Sequence, residues 1–257
     1  MKKLLLILLL LVSTLSLGAT TLKVGASPVP HAEILNFVKE DLKNEGVNLE
    51  IIEITDYVTP NLMLSDKELD ANFFQHAPYL ETFSKEKGLK LTSLSGIHVE
   101  PLALYSKKYK TLNDVPEKSI IAIPNDPTNG GRALILLHNN GIITLNDPTN
   151  LLATEADIKN NPKKLKFKAL DAAQLPRILP DVAAAVINGN YALEAGLKPS
   201  KDSLLVEGKE SPYANIVAVR TEEIKREDLL KLQKALTSEK VRKFITEKYN
   251  GGVVPAF

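Results

Sequence analysis

The feature that most limits what this chain can fold into is a repeated change of hydrophobic period. Thr21 to Ala26, TLKVGA, alternates and reads as a strand; from His31 to Leu42 the apolar residues Ile34, Leu35, Val38 and Leu42 then fall on one helical stripe. Asn44 to Val47 supplies a turn, NLEIIEIT reads as a second strand, and Pro60 to Lys67 as a helix. LDANFFQH follows as a short third strand, with Pro78 placed to open another helix. Beyond Gly88 come two strand-like runs, LKLTSLSGI and VEPLALYS. A further cycle begins at SIIAIPND, Ser119 to Asp126, passes through a helix from Gly131 to Asn139, and continues by KLKFKAL to DVAAAVING, Asp181 to Gly189. EDLLKLQKAL and SEKVRKFITEKY are amphipathic packing helices. Such alternation predicts an α/β fold, with parallel sheet covered by helices on both faces. The pentapeptide NDPTN occurs at Asn125 to Asn129 and again at Asn146 to Asn150, but the flanking residues differ, so it reads as a turn used twice rather than a duplicated domain.

The first residues have a different character. Lys2 and Lys3 precede an unbroken apolar run from Leu4 to Val12, and small residues follow at Ser16, Gly18 and Ala19. This is the pattern of a secretory signal peptide over residues 1–19, with cleavage after Gly18 or Ala19, because the run is about half of the roughly 20 residues a membrane span needs. The 32 basic and 31 acidic residues nearly cancel, and losing two lysines with the leader keeps the balance close to neutral, so nothing in the charge points to nucleic acid. With no cysteine, thiol catalysis, thiolate metal sites and iron–sulfur clusters are excluded.

Two stretches concentrate chemistry. DANFFQHAPYL, Asp70 to Leu80, crowds four rings into a chain that is only 5% aromatic. If Asn72 to Gln75 is strand, the two-residue period sends Asn72, Phe74 and His76 one way and Phe73 and Gln75 the other. Phe74 and His76 then share a face at the carboxyl end of a parallel strand, where ligands collect in open α/β sheets; a wholly buried, structural reading of these rings stays open. The second stretch, NDPTNGGRALILL, places polar turn residues and Gly130, Gly131 before a helix, a loop able to receive an anion, with Arg132 adding a charge that pairs with carboxylates. It lacks the Gly-Lys-Ser/Thr ending of a phosphate-binding loop, and there is no G-x-S-x-G elbow, so an enzyme is not expected. The four histidines, His31, His76, His98 and His138, show no zinc-helix spacing, although His98 lies two residues before Glu100.

Read together, SPVPHAEIL, ITDYVTPN, LDANFFQHAPYL, VEPLALYS, IPNDPTNGGRALILL, AAVINGNYA, ESPYANIVAVR and GGVVPAF resemble, in order and over essentially the whole chain after the leader, the NlpA/MetQ family. These are methionine-binding substrate proteins of ABC importers. The resemblance implies a two-lobe periplasmic-binding-protein fold of type II-like form, with a ligand cleft between lobes. Residues 20–100 with 204–257 would make one lobe and 101–203 the other. It also implies a side-chain pocket at Tyr57, Phe74, His76 and Tyr79, and a polar clamp at Arg132, Asn188 and Asn215. The expected ligand is methionine, L or D, or a methionine-containing dipeptide, captured without a cofactor by a monomer that delivers it to a membrane permease and its ATPase. One departure concerns the anchor: family members carry a lipobox cysteine where this chain has Thr20, so a periplasmic or cell-surface protein without a lipid anchor is expected. The competing expectation is a metal-binding solute protein using His31, His76 or His98 with Glu100.

Overall fold

The computed structural model describes residues 19–208 and 212–257. Apart from Ala19, the expected leader lies outside the described residues. The strands are β1 (Thr20–Ala26), β2 (Val47–Glu53), β3 (Ala71–His76), β4 (Leu91–Val99), β5 (Ala103–Tyr105), β6 (Ile120–Pro124), β7 (Thr144–Leu145), β8 (Ile158–Asn160), β9 (Lys166–Leu170), β10 (Ala184–Ile187), β11 (Ser203–Val206), β12 (Ala214–Arg220) and β13 (Val254–Pro255). The α-helices are α1 (Glu33–Asn44), α2 (Thr59–Ser65), α3 (Ala77–Lys87), α4 (Pro127–Asn139), α5 (Leu175–Ile178), α6 (Gly189–Glu194), α7 (Pro199–Asp202), α8 (Glu227–Leu236) and α9 (Glu239–Tyr249).

Two sheets divide the chain. The first has the order β13-β4-β12-β3-β1-β2 and the second β11-β5-β10-β6-β9, with β7 and β8 forming a separate pair. The alternation predicts parallel sheet, but neither large sheet is wholly parallel: β12 runs antiparallel to both β3 and β4, and β5 antiparallel to β10 and β11. The reason is that the chain crosses between sheets twice and re-enters the first from the opposite direction. Lobe 2 was expected to end at residue 203, yet Ser203–Val206 pair with β5, so the return crossing comes after Val206.

Helices cover the first sheet because their apolar stripes match it. In α1 the stripe Ile34, Leu35, Val38 and Leu42 is fully buried, and it joins Leu22 and Val24 of β1 with Leu229 and Leu232 of α8 and Val241 and Ile245 of α9 in one core. Each such side chain contributes about 1.5–3 kcal/mol on burial. A second core forms between α4 and the second sheet, around Leu134, Leu137, Ile121 and Val186, and a third on that sheet's other face around Leu175, Leu179 and Ile187.

Two local expectations are corrected. NDPTNGG is not a loop in its first occurrence: α4 begins at Pro127, with Asp126 as its N-cap accepting the Asn129 N–H, so only the second NDPTN is a turn. In β3 the strict alternation fails, because Ile216 pairs with Gln75 while Val217 pairs with Phe73, leaving Phe74 as a bulge. Gln75 consequently shares a side with Asn72, whose Oδ1 accepts its Nε2–H at 2.9 Å, and both bond Asn61 of α2. Phe73 faces the other way, edge-on to His31 and His98.

Removing Leu35, which is fully buried, tests the principal core. Leu35→Ala is expected to lower unfolding free energy by about 2–5 kcal/mol, while Leu230→Ala, at a position 44% exposed, stays within about 0.5. Urea titration followed by circular dichroism measures both; equal losses would remove the α1 stripe from the core.

Candidate functional site

The carboxyl ends of parallel strands β3, β6 and β10 bring the polar residues of the chain together. After β3 comes α3, capped by His76 and carrying Tyr79; after β6 comes α4 with Asn129 and Arg132; after β10, Asn188 caps α6, which carries Gly189 and Asn190. Asn215 enters from β12, where the ladder sets it beside His76 on one side and His98 on the other. Tyr57 is placed by an Asx turn, in which Asp56 Oδ1 accepts the N–H groups of Val58 and Thr59 at 2.8 and 2.7 Å. All seven residues expected from the sequence, Tyr57, Phe74, His76, Tyr79, Arg132, Asn188 and Asn215, line one cavity.

One wall is aromatic. The Tyr57 ring centroid is 5.8 Å from Phe74 and 6.0 Å from Tyr79, and Phe74 meets Tyr79 nearly edge-on at 6.1 Å. The hydroxyl groups point away from this apolar surface: Tyr79 donates to the Tyr57 carbonyl at 2.8 Å, and Tyr57 donates to Asn190 Oδ1 at 2.5 Å. Burial raises both phenol pKa values, which keeps these donors protonated.

The polar wall is a fixed chain of hydrogen bonds. His76 Nδ1 accepts the Tyr79 N–H, so Nε2 carries the proton and donates to Asn129 Oδ1 at 3.1 Å. Asn188 Nδ2 donates to that same oxygen at 2.8 Å, and Asn129 Nδ2 donates to Asp126. Burial lowers the His76 pKa to about 3, with the Arg132 charge acting in the same direction, so the ring is neutral. Among the described residues, Asn188 Oδ1 and Asn190 Nδ2 are buried without a partner, an acceptor and a donor on the cavity wall.

Arg132, expected to pair with a carboxylate, is held by groups of the protein itself. Its Nε donates to Glu207 Oε1 at 2.9 Å, its Nη2 donates to Glu207 Oε2 and, at 2.9 Å, to the Glu100 carbonyl, and Tyr213 stacks on the guanidinium at 4.2 Å. The fork is occupied by the protein's own carboxylate, and Nη1 takes part in none of these bonds. Glu207 escaped the sequence reading because no local pattern links it to a residue 75 positions earlier. Gln75, Glu100, Asn129, Gly189 and Asn190 also line the cavity without having been assigned to the pocket. The NGN triplet and the lone acid of VEPLALYS are the signals that could have marked three of them. The alternative metal set is only partly assembled: His31, His98 and Glu100 bring ligand atoms within 4.8 Å of one another, while His76 is turned to Asn129.

The neutral His76 has a measurable consequence. Its pKa is 6.5 unfolded and about 3 folded, so below pH 6.5 the unfolded chain binds more protons and the ring's contribution to stability falls as pH falls toward 3. Compared with His76→Gln, the parent is expected to lose stability on acidification by up to about 1.4 kcal/mol per pH unit in that window. Denaturant titrations at pH 7, 6 and 5 on both proteins check this; parallel pH profiles would contradict it.

Comparison with known proteins places this geometry. The NlpA lipoprotein family matches residues 22–257. The probable D-methionine-binding lipoprotein MetQ of Vibrio cholerae is 42% identical over 233 residues, 90% of this chain and 87% of that one. Among solved structures, a nutrient-binding protein from Burkholderia cenocepacia bound to methionine superposes with a TM-score of 0.89 at 46% identity, covering 92% of this chain and all of the other. An ABC transporter periplasmic substrate-binding protein from Coxiella burnetii gives 0.87 at 44%, covering 91% of this chain and all of the other. The fold is that of the two-lobe periplasmic substrate-binding proteins, and the chain belongs to the NlpA lipoprotein family.

Proposed function

We propose that this protein is the extracytoplasmic substrate-binding component of an ABC importer and that its ligand is methionine, L or D. The observation that carries the reading is the single cavity in which an aromatic wall of Tyr57, Phe74 and Tyr79 faces a polar wall of Asn129, Arg132, Asn188 and Asn190. A thioether suits the first wall, since each sulfur–aromatic contact contributes about 0.3–1.5 kcal/mol. The carboxylate suits the second, through Arg132 Nη1 and the unpartnered Asn190 Nδ2. His76 and Asn215 fix the cavity floor by their bonds to Asn129 and His31. Capture is reversible and involves no bond making. The ligand holds the two lobes together, and the closed monomer is what a permease with its ATPase receives. The relatives named above support this reading through their methionine and periplasmic descriptions. Thr20, in the place of the lipobox cysteine, offers no sulfur for a lipid anchor, and no helix among the described residues is long and apolar enough to cross a membrane.

Metal capture is the weaker reading. The Nε2 atoms of His31 and His98 are already engaged with Glu100, and His31 also bonds Asn215, so the nitrogens that face Glu100 are not free for an ion.

Isothermal calorimetry on protein refolded to remove carried-over amino acids tests the function. Methionine is expected to bind with a negative heat-capacity change, and zinc to produce no comparable, chelator-reversible heat. Arg132→Ala should weaken methionine by about 10- to 150-fold, the value of a hydrogen bond to a charged group. A melting curve of the variant separates this from loss of fold, since Glu207 is left without its guanidinium. Undiminished affinity in a folded Arg132→Ala protein would remove the carboxylate assignment.

A further inference from the structure

We propose that the buried carboxamides of Asn61, Asn72 and Gln75 are positioning residues for side-chain specificity: they clamp the bulge in β3 that aims Phe74 into the cavity. The assignment rests on the methionine reading and deepens it. Asn61 lies in the first turn of α2, whereas Asn72 and Gln75 lie in β3, and the three are 0%, 0% and 3% exposed. Gln75 lines the cavity; Asn61 and Asn72 stand behind it.

The three amides form a self-contained set. Gln75 Nε2 donates to Asn61 Oδ1 at 2.7 Å and to Asn72 Oδ1 at 2.9 Å, while its Oε1 accepts from Asn61 Nδ2 at 2.9 Å. Asn72 Nδ2 donates to Asn61 Oδ1 at 2.8 Å and to the Pro60 carbonyl at 3.1 Å. Every amide oxygen and nitrogen of the set is thereby used, which removes the penalty of about 1–3 kcal/mol that an unpaired buried group carries. The setting is otherwise apolar. In the ladder with β12, Asn72 stands opposite Ala218 and Gln75 opposite Ile216, both members of a cluster with Leu64 and Leu69. Aliphatic side chains would fill such a place without polar cost, but in more than one packing. A fully satisfied amide set fixes a single arrangement.

That arrangement is the one that presents Phe74. In a regular strand, residues three apart project to opposite faces, so the Asn72–Gln75 bond closes only because the strand is bulged between them. Without the bulge, the two-residue period would put Phe74 on the side of Asn72, toward Asn61. With it, Gln75 takes that side, and Phe74 clusters with Tyr79 and Phe83, against which Tyr57 packs. The same set ties down the other end of the aromatic wall. Pro60 and Asn61 are bonded to Asn72, and Tyr57 precedes Pro60 by three residues, its carbonyl accepting the Tyr79 hydroxyl. Phe74 and Tyr57 are thus set by amides engaged with one another.

The test is a ligand series in calorimetry: methionine, ethionine, which is one methylene longer, and leucine, which is branched. The parent protein is expected to prefer methionine over ethionine by about 10- to 200-fold, the value of one methylene in an apolar pocket. In Asn72→Leu, which breaks the clamp at similar volume, that preference should shrink by about 10-fold, through weaker methionine binding with ethionine little changed. Asn61→Ala leaves the Asn72–Gln75 bond in place and should shrink the preference less. The ratio of two affinities on one protein cancels any loss of folded fraction, so destabilisation alone does not move it. A parent that binds methionine, ethionine and leucine alike overturns the assignment and needs no variant to read. So does a folded Asn72→Leu protein that keeps the full preference. If Asn72→Leu does not fold, Asn61→Ala decides, and an unchanged preference there overturns the assignment. These outcomes leave the methionine reading standing. Failure of the parent to bind methionine at all overturns that reading, and this assignment with it.

Discussion

A guanidinium buried at the junction of two sheets must have its charge answered on the spot, and the way Arg132 is answered organises the site. Its partner, Glu207, sits on the return crossing just after β11, while Nη2 also reaches the carbonyl of Glu100 on the outgoing crossing. Glu207 in turn accepts the Leu102 N–H, again from the outgoing segment. One side chain on α4 thus ties together both strands that join the lobes. Losing one member of such a buried pair leaves the other uncompensated, an expensive arrangement, so the geometry of the crossings and the position of the cation are set together. Under the proposed function, a ligand that touches Arg132 touches both crossings between the sheets.

The pairing also decides what the cavity selects on. With the Arg132 charge largely offset by Glu207, the field offered to a carboxylate is modest, and direction counts for more than charge. Direction is supplied by the chain from Asp126 through Asn129 to His76 and Asn188, in which each side chain's orientation is fixed by the next. A neutral His76 belongs to this logic, because only the Nε2–H tautomer donates to Asn129 while Nδ1 caps α3. The aromatic wall then discriminates by shape. One methylene in such a pocket is worth about 1–3 kcal/mol, so selectivity against near relatives of the ligand is bounded.

Much of this was legible in the sequence where the signal is local. The α1 stripe reads directly from its spacing, and Phe74 and His76 share the cavity because they end a strand with a proline opening the next helix. The start of α4 was misplaced by four residues, since Asn, Asp, Pro and Thr are turn formers as well as N-terminal helix residues; Asp126 with Pro127 is the cap-and-first-turn pair that would have settled it. What could not be read is what depends on distant partners. The bulge at Phe74 exists only against β12, about 140 residues later, and it moves Gln75 to the side of Asn72. Glu207 and the pairing of β11 with β5 are likewise properties of the assembled chain.

The division of labour across the cleft follows from this topology. Tyr57, Phe74, His76, Tyr79 and Asn215 come from segments of the first sheet, whereas Asn129, Arg132, Asn188 and Asn190 come from the second. Protein atoms already bridge the two sets: His76 to Asn129, Tyr57 to Asn190, and the Tyr191 hydroxyl to the Thr55 carbonyl at 2.7 Å. Each bond contributes about 0.5–1.5 kcal/mol net, so these bridges give the arrangement some stability of its own. Under the proposed function, a ligand stabilises the closed arrangement only if it engages both sets at once. An apolar side chain without a charged head, or a head without the side chain, meets one wall and leaves the other half of the closure energy unused.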